Sequence, residues 1–575
     1  MKTHLTRRGL IGALTASTAI ACRPKPAESF SANTQLTTGV FAHGIASGEP
    51  LHDAVILWTR VAPDNPMNGA IDVVWEMSRA RDFDALSASG TVSTSAARDW
   101  TVKVDAAGLE AGQVYFYRFR VGDYISPIGQ TKTLAEGALD KARFAVVSCA
   151  NWEHGFFNAY DHIARQDHFD AFIHLGDYYY EYAADTYLNE AAKDIGRLHE
   201  PRHEIVALED YRLRHAQYRT DAGLQAITAK MPMIAIWDDH ETSNDSWQGG
   251  AENHNVEEGL WEARKQAALR AYEWMPIREP RPGLVASDIF RSYDWGDLLT
   301  LITIETRLTA RAEPIVIEDH YEDITALGHA DDFKTNILRD PSREMLGAVQ
   351  SDFIIDKLKT SKANGTVWRV LANQVIMGRL LTTDMTPYIR EETLQAVAKD
   401  NPDIRKSLAL SKYNIPVYPD SWEGYPVARE NFYQSLIQEG INDLLVLTGD
   451  AHEFWVNNLT SETGEKVGLE LVTTSISSKT LVAYLRDAVA DYNLLLTQSN
   501  EDALYYNALH NGYIDLTLSQ TKGHVKMICI NTVIKTDYEA FTAAEFTLRQ
   551  TGETVKATNP KGLNLKQRAL FSGIG

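Results

Sequence analysis

Five places in the sequence put side chains able to bind a cation directly after a short apolar run. Residues 144–148 lead to Cys149, and 172–175 lead to Gly176-Asp177, with Tyr180 three residues on. Residues 233–237 lead to Asp238-Asp239-His240-Glu241, 368–372 to Asn373-Gln374, and 444–448 to Gly449-Asp450-Ala451-His452. Singly, most have an ordinary structural account. A Gly-Asp pair is commonly a turn or a helix cap, and a lone cysteine is commonly a small buried hydrophobe. The run 238–241 is harder to explain that way, because three carboxylates and an imidazole at the end of a buried strand repel one another unless a cation joins them.

The donor types divide by metal. Thiolate, phenolate and imidazole suit a transition ion, so Cys149, Tyr180 and His452 point to one, and a tyrosinate favours ferric iron. Carboxylate and amide oxygens suit a hard cation, so Asp239, Asn373 and Asp450 point to a harder neighbour, with Asp177 as the natural bridge. Two cations about 3.5–4 Å apart clamp a phosphoryl group, activate a water and stabilise the leaving oxygen. The chemistry expected is hydrolysis of a phosphate ester.

Such convergence needs a scaffold. From 132 onward apolar strands alternate with helical stretches at 156–166, 208–219 and 261–274, the pattern of an α/β layer architecture. Ligands of open α/β sheets bind beyond the carboxyl ends of the strands, so the five clusters are expected on one edge. Before 133 the texture is all-β. Runs at 54–60 and 71–76 are β-branched and aromatic, and a Gly turn precedes a tyrosine-bearing strand at 113–120, similar to the tyrosine corner of immunoglobulin-like sandwiches. The divisions read are a signal segment at 1–22, a small β domain at 39–134, a catalytic domain at 141–550 and a C-terminal tail at 551–575. Stretches 181–204 and 318–332 read as surface insertions, the kind that often wall an active site.

Composition narrows the classes. The 575 residues carry 77 acidic against 56 basic side chains, a formal net charge of −21, which argues against nucleic acid as a partner. The hydrophobic fraction of 44% is enough for a large core, so disorder is excluded as a global description. Only Cys22, Cys149 and Cys529 are present, with no Cys-x-x-Cys, so neither a thiolate zinc site nor a disulfide framework is expected. Thr6-Arg7-Arg8-Gly9-Leu10-Ile11 and the weakly apolar run after it resemble a twin-arginine export signal. Ala19-Ile20-Ala21-Cys22 reads as an ordinary cleavage site or as a lipoprotein box acylated at Cys22. The chain is thus expected to be exported, as a periplasmic or lipid-anchored protein.

Gly176-Asp177-Tyr178-Tyr179-Tyr180, Trp237-Asp238-Asp239-His240-Glu241 and Gly449-Asp450-Ala451-His452 look like the metal motifs of calcineurin-like metallophosphoesterases. More closely, the chain resembles the PhoD family of secreted alkaline phosphatases and phosphodiesterases. His43-Gly44-Ile45-Ala46-Ser47-Gly48-Glu49-Pro50, Tyr272-Glu273-Trp274-Met275-Pro276, Thr306-Arg307, Asn373-Gln374 and Asp420-Ser421-Trp422-Glu423-Gly424-Tyr425 carry that likeness. The resemblance implies a four-layer α/β catalytic domain of the purple-acid-phosphatase kind and a Fe(III) site with accompanying Ca(II). It makes Cys149, Asp177, Tyr180 and His452 iron ligands, with Asp177 bridging. Asp239 and Asp450 hold calcium, Asn373 touches metal or phosphate, and His240 assists the leaving group or binds phosphate. Asp450 stands where the wider superfamily has a histidine and Cys149 where it has an aspartate, both disfavouring a plain two-zinc or two-manganese centre.

The activity expected is that of an exported, monomeric alkaline phosphatase using a metal-bound hydroxide. Phosphodiesterase or phospholipase D-type action on the same site is the alternative. A non-catalytic calcium-binding envelope module would use oxygen ligands only, against Cys149, Tyr180 and His452, and a ferric redox protein would need an open iron site. The sequence has no Gly-x-Ser-x-Gly elbow and no Gly-Lys-Ser/Thr phosphate loop, so serine catalysis and nucleotide-triphosphate hydrolysis lack a basis.

Overall fold

The computed structural model describes residues 39–562, apart from 63–68, 188–189, 281–283, 286, 327–328, 400–402, 482–494 and 553. The segment 1–22 and Cys22 lie outside the described residues. Three sheets account for the strands of the described residues. The first has ten, in the order Val555–Lys561, Ala540–Gln550, Gly523–Ile530, Asn511–Ser519, Lys141–Val147, Ala171–His174, Met233–Ala235, Ile45–Gly48, Ala54–Arg60 and Thr101–Ala107. At its centre, Lys141–Val147, Ala171–His174, Met233–Ala235 and Ile45–Gly48 run parallel, and antiparallel strands extend both sides. The second has seven: Arg291–Trp295, Leu299–Thr303, Trp368–Asn373, Leu444–Thr448, Lys466–Val472, Phe454–Thr460 and Ala503–Asn507. Its four strands from Leu299–Thr303 to Lys466–Val472 are parallel.

Period-two alternation explains why the central strands read as unbroken apolar runs. Phe144 and Val146 face the second sheet, in a core shared with Ile173, Leu301, Val370 and Leu445. Their neighbours Ala145 and Val147 face the helices Asn158–Ala164, Leu208–Tyr218, Ala222–Lys230 and Trp261–Ala271. The outer face of the second sheet packs Ile302, Leu371 and Val446 against the helices Ala348–Ala363 and Pro426–Gln438. Helix starts follow local chemistry. The Asp221 side chain accepts from Gly223 N and Leu224 N, and Pro426 occupies a first-turn position.

The third sheet joins Leu86–Thr94, Ile71–Ser78, Val114–Val121 and Tyr124–Ile125, with Gly129–Lys132 paired to Val114–Val121. Its Val73, Met77, Tyr117 and Phe119 pack on Ile45, Val55, Leu57 and Val102 of the first sheet. Glu110 N donates to Tyr115 Oη at 2.8 Å, the backbone bond expected of the tyrosine after the Gly turn.

Sheet pairing runs across two of the expected boundaries. Three strands of the 39–134 stretch continue the ten-stranded sheet, because Gly48 aligns with Met233. Part of the expected tail, Val555–Lys561, is an edge strand whose Val555 and Ala557 are buried against Leu548 and Phe546.

Candidate metal centre

Cys149, Asp177 and the run 238–241 follow parallel strands of the first sheet, and Asp450 and His452 follow a parallel strand of the second. The carboxyl ends of both sheets thereby meet at one place, as the strand-end argument requires. The turns there are tight. Cys149, Asp177, Asp450 and His452 have φ of 61°, 56°, 63° and 57°, a region costly for residues with a side chain and kept only where the surroundings enforce it. Cross-loop bonds supply that enforcement: Cys149 N donates to Gly176 O, Ala150 N to Asp177 O, and Gly449 N to Gln374 O. Gly176 has φ of 105°, and a Cβ there would lie 2.4 Å from Asp238 Cβ. A glycine is needed where these two loops cross.

Three groups of ligand atoms result, each with its atoms within 4.8 Å of one another: Cys149, Asp177 and His452; Asp177, Asp239 and His240; and Asp238, Asp239 and Asp450. Asp177 and Asp239 belong to two groups each, so the groups form one centre. Tyr180 joins through its hydroxyl, 2.9 Å from Asp177 Oδ2 and 3.0 Å from His452 Nε2, and it also accepts from Ser478 Oγ at 2.7 Å. The Lys479 carbonyl lies 2.8 Å from His452 Nδ1; a carbonyl only accepts, so Nδ1 carries the proton and Nε2 presents its lone pair. His240 Nδ1 is 2.7 Å from Glu181 Oε2.

Burial dominates the electrostatics. It pushes Asp177 well above the ordinary carboxylate range, reinforced by Asp239, Asp238 and Glu241 and opposed by His240. Burial with Asp238 and Asp239 does the same to Asp450, and burial with Asp177 raises Cys149 and Tyr180. His452 is lowered to about 4 by burial and is therefore a neutral imidazole. Burial opposes a charge on His240, yet Asp239, Glu181 and Asp177 outweigh it and hold the ring as imidazolium. Asp239 goes the other way, because Arg307 and His240 overcome its burial.

Anions packed this closely must share protons or a cation. Asp177 Oδ1, Asp238 Oδ2 and Asp239 Oδ1 are buried without a hydrogen-bond partner, which is rare for a buried polar atom and fits oxygens directed at a metal ion. The thiol and imidazole beside them are not the oxygen-only set of a calcium-binding module. Asn373 has hydrogen-bond partners of its own. Its Nδ2 donates to Val375 O at 2.5 Å and Thr448 Oγ1 at 3.1 Å, and its Oδ1 accepts from Trp422 Nε1 at 3.2 Å. Asn373 is still part of the strand, paired with Thr448, so the core takes up its amide.

Several residues at the centre have roles that the sequence did not assign. Glu241 accepts from the backbone of Asp177, Tyr178 and Asp238, clasping two of the loops together. Glu181 also accepts from Asn244 N and Asn253 Nδ2. From the 181–204 stretch, Tyr182 and Tyr187 pack near the site with their rings tilted, Tyr182 lying 5.3 Å from the His240 ring and 5.1 Å from Tyr187. The 318–332 stretch packs instead through Ile324 with Phe333, Leu338 and Leu410. Arg307 appeared only within a two-residue motif, and its burial among carboxylates has no signal in the sequence.

Residues 144–527 match the family described as PhoD-like phosphatase, and residues 26–135 match the PhoD-like phosphatase N-terminal domain. This chain belongs to the PhoD-like phosphatase family. It is 34% identical over 493 residues to alkaline phosphatase D of Bacillus subtilis (strain 168), covering 83% of this chain and 76% of that protein. A solved structure of PhoD is similar with a TM-score of 0.74 at 28% identity, covering 93% of this chain and 97% of that one. The resemblance read from the motifs is borne out, and the chain is a phosphoric ester hydrolase. A PhoD-like phosphatase is expected to depend on metal, and the grouped acidic, thiol and imidazole side chains are suited to it.

Proposed function

We propose that this PhoD-like phosphatase is an exported alkaline phosphatase acting at a Fe(III)/Ca(II) centre. The observation that carries the reading is the grouping of Cys149, Asp177 and His452 beside Asp238, Asp239 and Asp450, with buried carboxylate oxygens left unpartnered in both groups. Cys149, Asp177, Tyr180 and His452 would hold the iron, and Asp239 and Asp450, with Asp177 shared, the calcium. When bound, such cations neutralise phosphate charge and acidify water.

The chain's own groups supply the rest. Glu181 anchors His240 through Nδ1, and His240, kept protonated, gives its proton to the leaving oxygen. Ser478 and Asp177 orient the Tyr180 hydroxyl, and the Lys479 carbonyl orients His452. Tyr182 and Tyr187 cover the His240 side of the centre.

Helices outside two facing sheets support a four-layer catalytic fold, and the Tyr115 bond supports an immunoglobulin-like N-terminal sandwich. The Arg7-Arg8 segment supports twin-arginine export, to the periplasm or to a lipid anchor at Cys22. Among the described residues no helix is long and apolar enough to cross a membrane.

Metal analysis and phosphate-ester hydrolysis of wild type and Asp177→Ala test the reading. Iron and calcium are expected in wild type, with loss of iron and at least about 100-fold lower kcat in the variant. Iron absent from active wild type, or undiminished hydrolysis in the variant, would refute it.

A further inference from the structure

Arg307 lies just past the strand Leu299–Thr303 and is fully buried. Its Nε donates to Asp238 Oδ1 and its Nη1 to Asp420 Oδ2, both at 2.5 Å. Nη2 stands 3.6 Å from Asp239 Oδ1 and 3.7 Å from Asp450 Oδ1, makes no hydrogen bond, and is buried. A guanidinium does not deprotonate in proteins, so this charge is permanent. Asp420 also accepts from Arg311, another fully buried guanidinium, and so is largely neutralised without Arg307. What remains is Asp238, Asp239 and Asp450 facing Arg307. Three carboxylates against one guanidinium leave two formal negative charges, the complement of one divalent ion.

We propose that Arg307 is a built-in counter-cation that sets the charge of the Asp238/Asp239/Asp450 group to suit one divalent ion, bound loosely enough to exchange. It also holds the three carboxylates in place while that ion is absent. The inference rests on the metal-centre reading above. It differs from a ligand role, since a cation cannot coordinate a cation: Arg307 weakens divalent binding by repulsion and preserves the site by attraction. It differs as well from a purely structural ion pair, because Nη2 faces the ligand oxygens without a bond of its own.

The test is calorimetric titration of calcium into the full chain freed of metal, for wild type, Arg307→Gln, Arg307→Lys and Asp420→Asn. Removing the charge from within a few ångströms of the site is expected to tighten calcium binding by about tenfold or more in Arg307→Gln. Its metal-free thermal midpoint is expected to fall below that of wild type and to recover with calcium. Arg307→Lys keeps the charge and is expected to stay within about threefold of wild type. Asp420 lies outside the three ligand groups, yet Asp420→Asn removes the anion between Arg307 and Arg311 and leaves one more uncompensated positive charge beside the site, so calcium is expected to bind at least about threefold more weakly.

A folded Arg307→Gln that binds calcium as wild type does, or more weakly, overturns the inference. Should that variant fail to fold, calcium binding unchanged in Asp420→Asn overturns it equally. Wild type that takes up no calcium overturns the underlying metal reading along with it.

Discussion

The side chains that define the centre were legible one by one because each stands just after a buried strand, where the backbone turns. Cys149, Asp177, Asp239, Asp450 and His452 all fall into the grouped ligand sets. The residues that tune them were not legible, because they act from a distance in sequence: Glu181 reaches His240 from 59 residues away, and Arg307 reaches Asp238 from 69. The setting of Asn373 was not legible either, since one more residue of strand gives its amide hydrogen-bond partners in the core. The Glu181–His240 pair carries a prediction about pH. His240 works protonated, and Glu181 is one of the groups that raise it, so Glu181→Gln lowers the pH above which the proton is lost. The alkaline limb of the kcat/KM profile is expected to move to lower pH, with activity at the optimum down about 10–100-fold. A limb that stays in place would show that Glu181 does not govern this proton.

Strands were the best-read elements. Their apolar runs are buried on both faces, and the runs expected at 368–372 and 444–448 agree with Trp368–Asn373 and Leu444–Thr448 to within a residue. The edge strand Val555–Lys561 was missed because it is polar on its open side and ends in Asn559-Pro560-Lys561, the composition of a tail. Pairing between distant strands was not legible at all, since apolar alternation states which face is buried and not which neighbour lies alongside. Gly48 marks the least foreseeable pairing. A Cβ there would lie 2.3 Å from Pro276 O and 2.8 Å from Met233 O, both backbone atoms that cannot rotate away. Gly48→Ala is therefore expected to wedge open the seam at Ile45–Gly48 and to cost about 3 kcal/mol, read by chemical denaturation. A neutral effect would mean that the seam yields.

For the whole molecule, the concentration of buried acid makes stability depend on pH in an unusual direction. In the fold, burial lifts Asp238 to about 6 and Glu241 to about 7, above their ordinary values of 3.8 and 4.5. Folded carboxyls of this kind bind protons more tightly than unfolded ones, so the stability they contribute is lost as pH rises through about 4 to 7. The metal-free chain is expected to lose on the order of 3 kcal/mol or more across that interval, measured by denaturant unfolding with chelator present. Metal ions should weaken the trend, because they replace protons as the partners of Asp238 while Glu241 stays outside the ligand groups; a metal-free chain whose stability rises with pH would contradict this electrostatic account. The ten-stranded sheet has a further consequence, for the order in which the chain can assemble. Its middle strand Lys141–Val147 is flanked by Asn511–Ser519, while Ile45–Gly48 waits for Met233–Ala235. Neither pairing closes until hundreds of residues have been made, so folding cannot proceed from the first residue to the last as synthesis does. The proposed twin-arginine route suits a protein built this way, since it carries the chain only after the whole of it has emerged and settled.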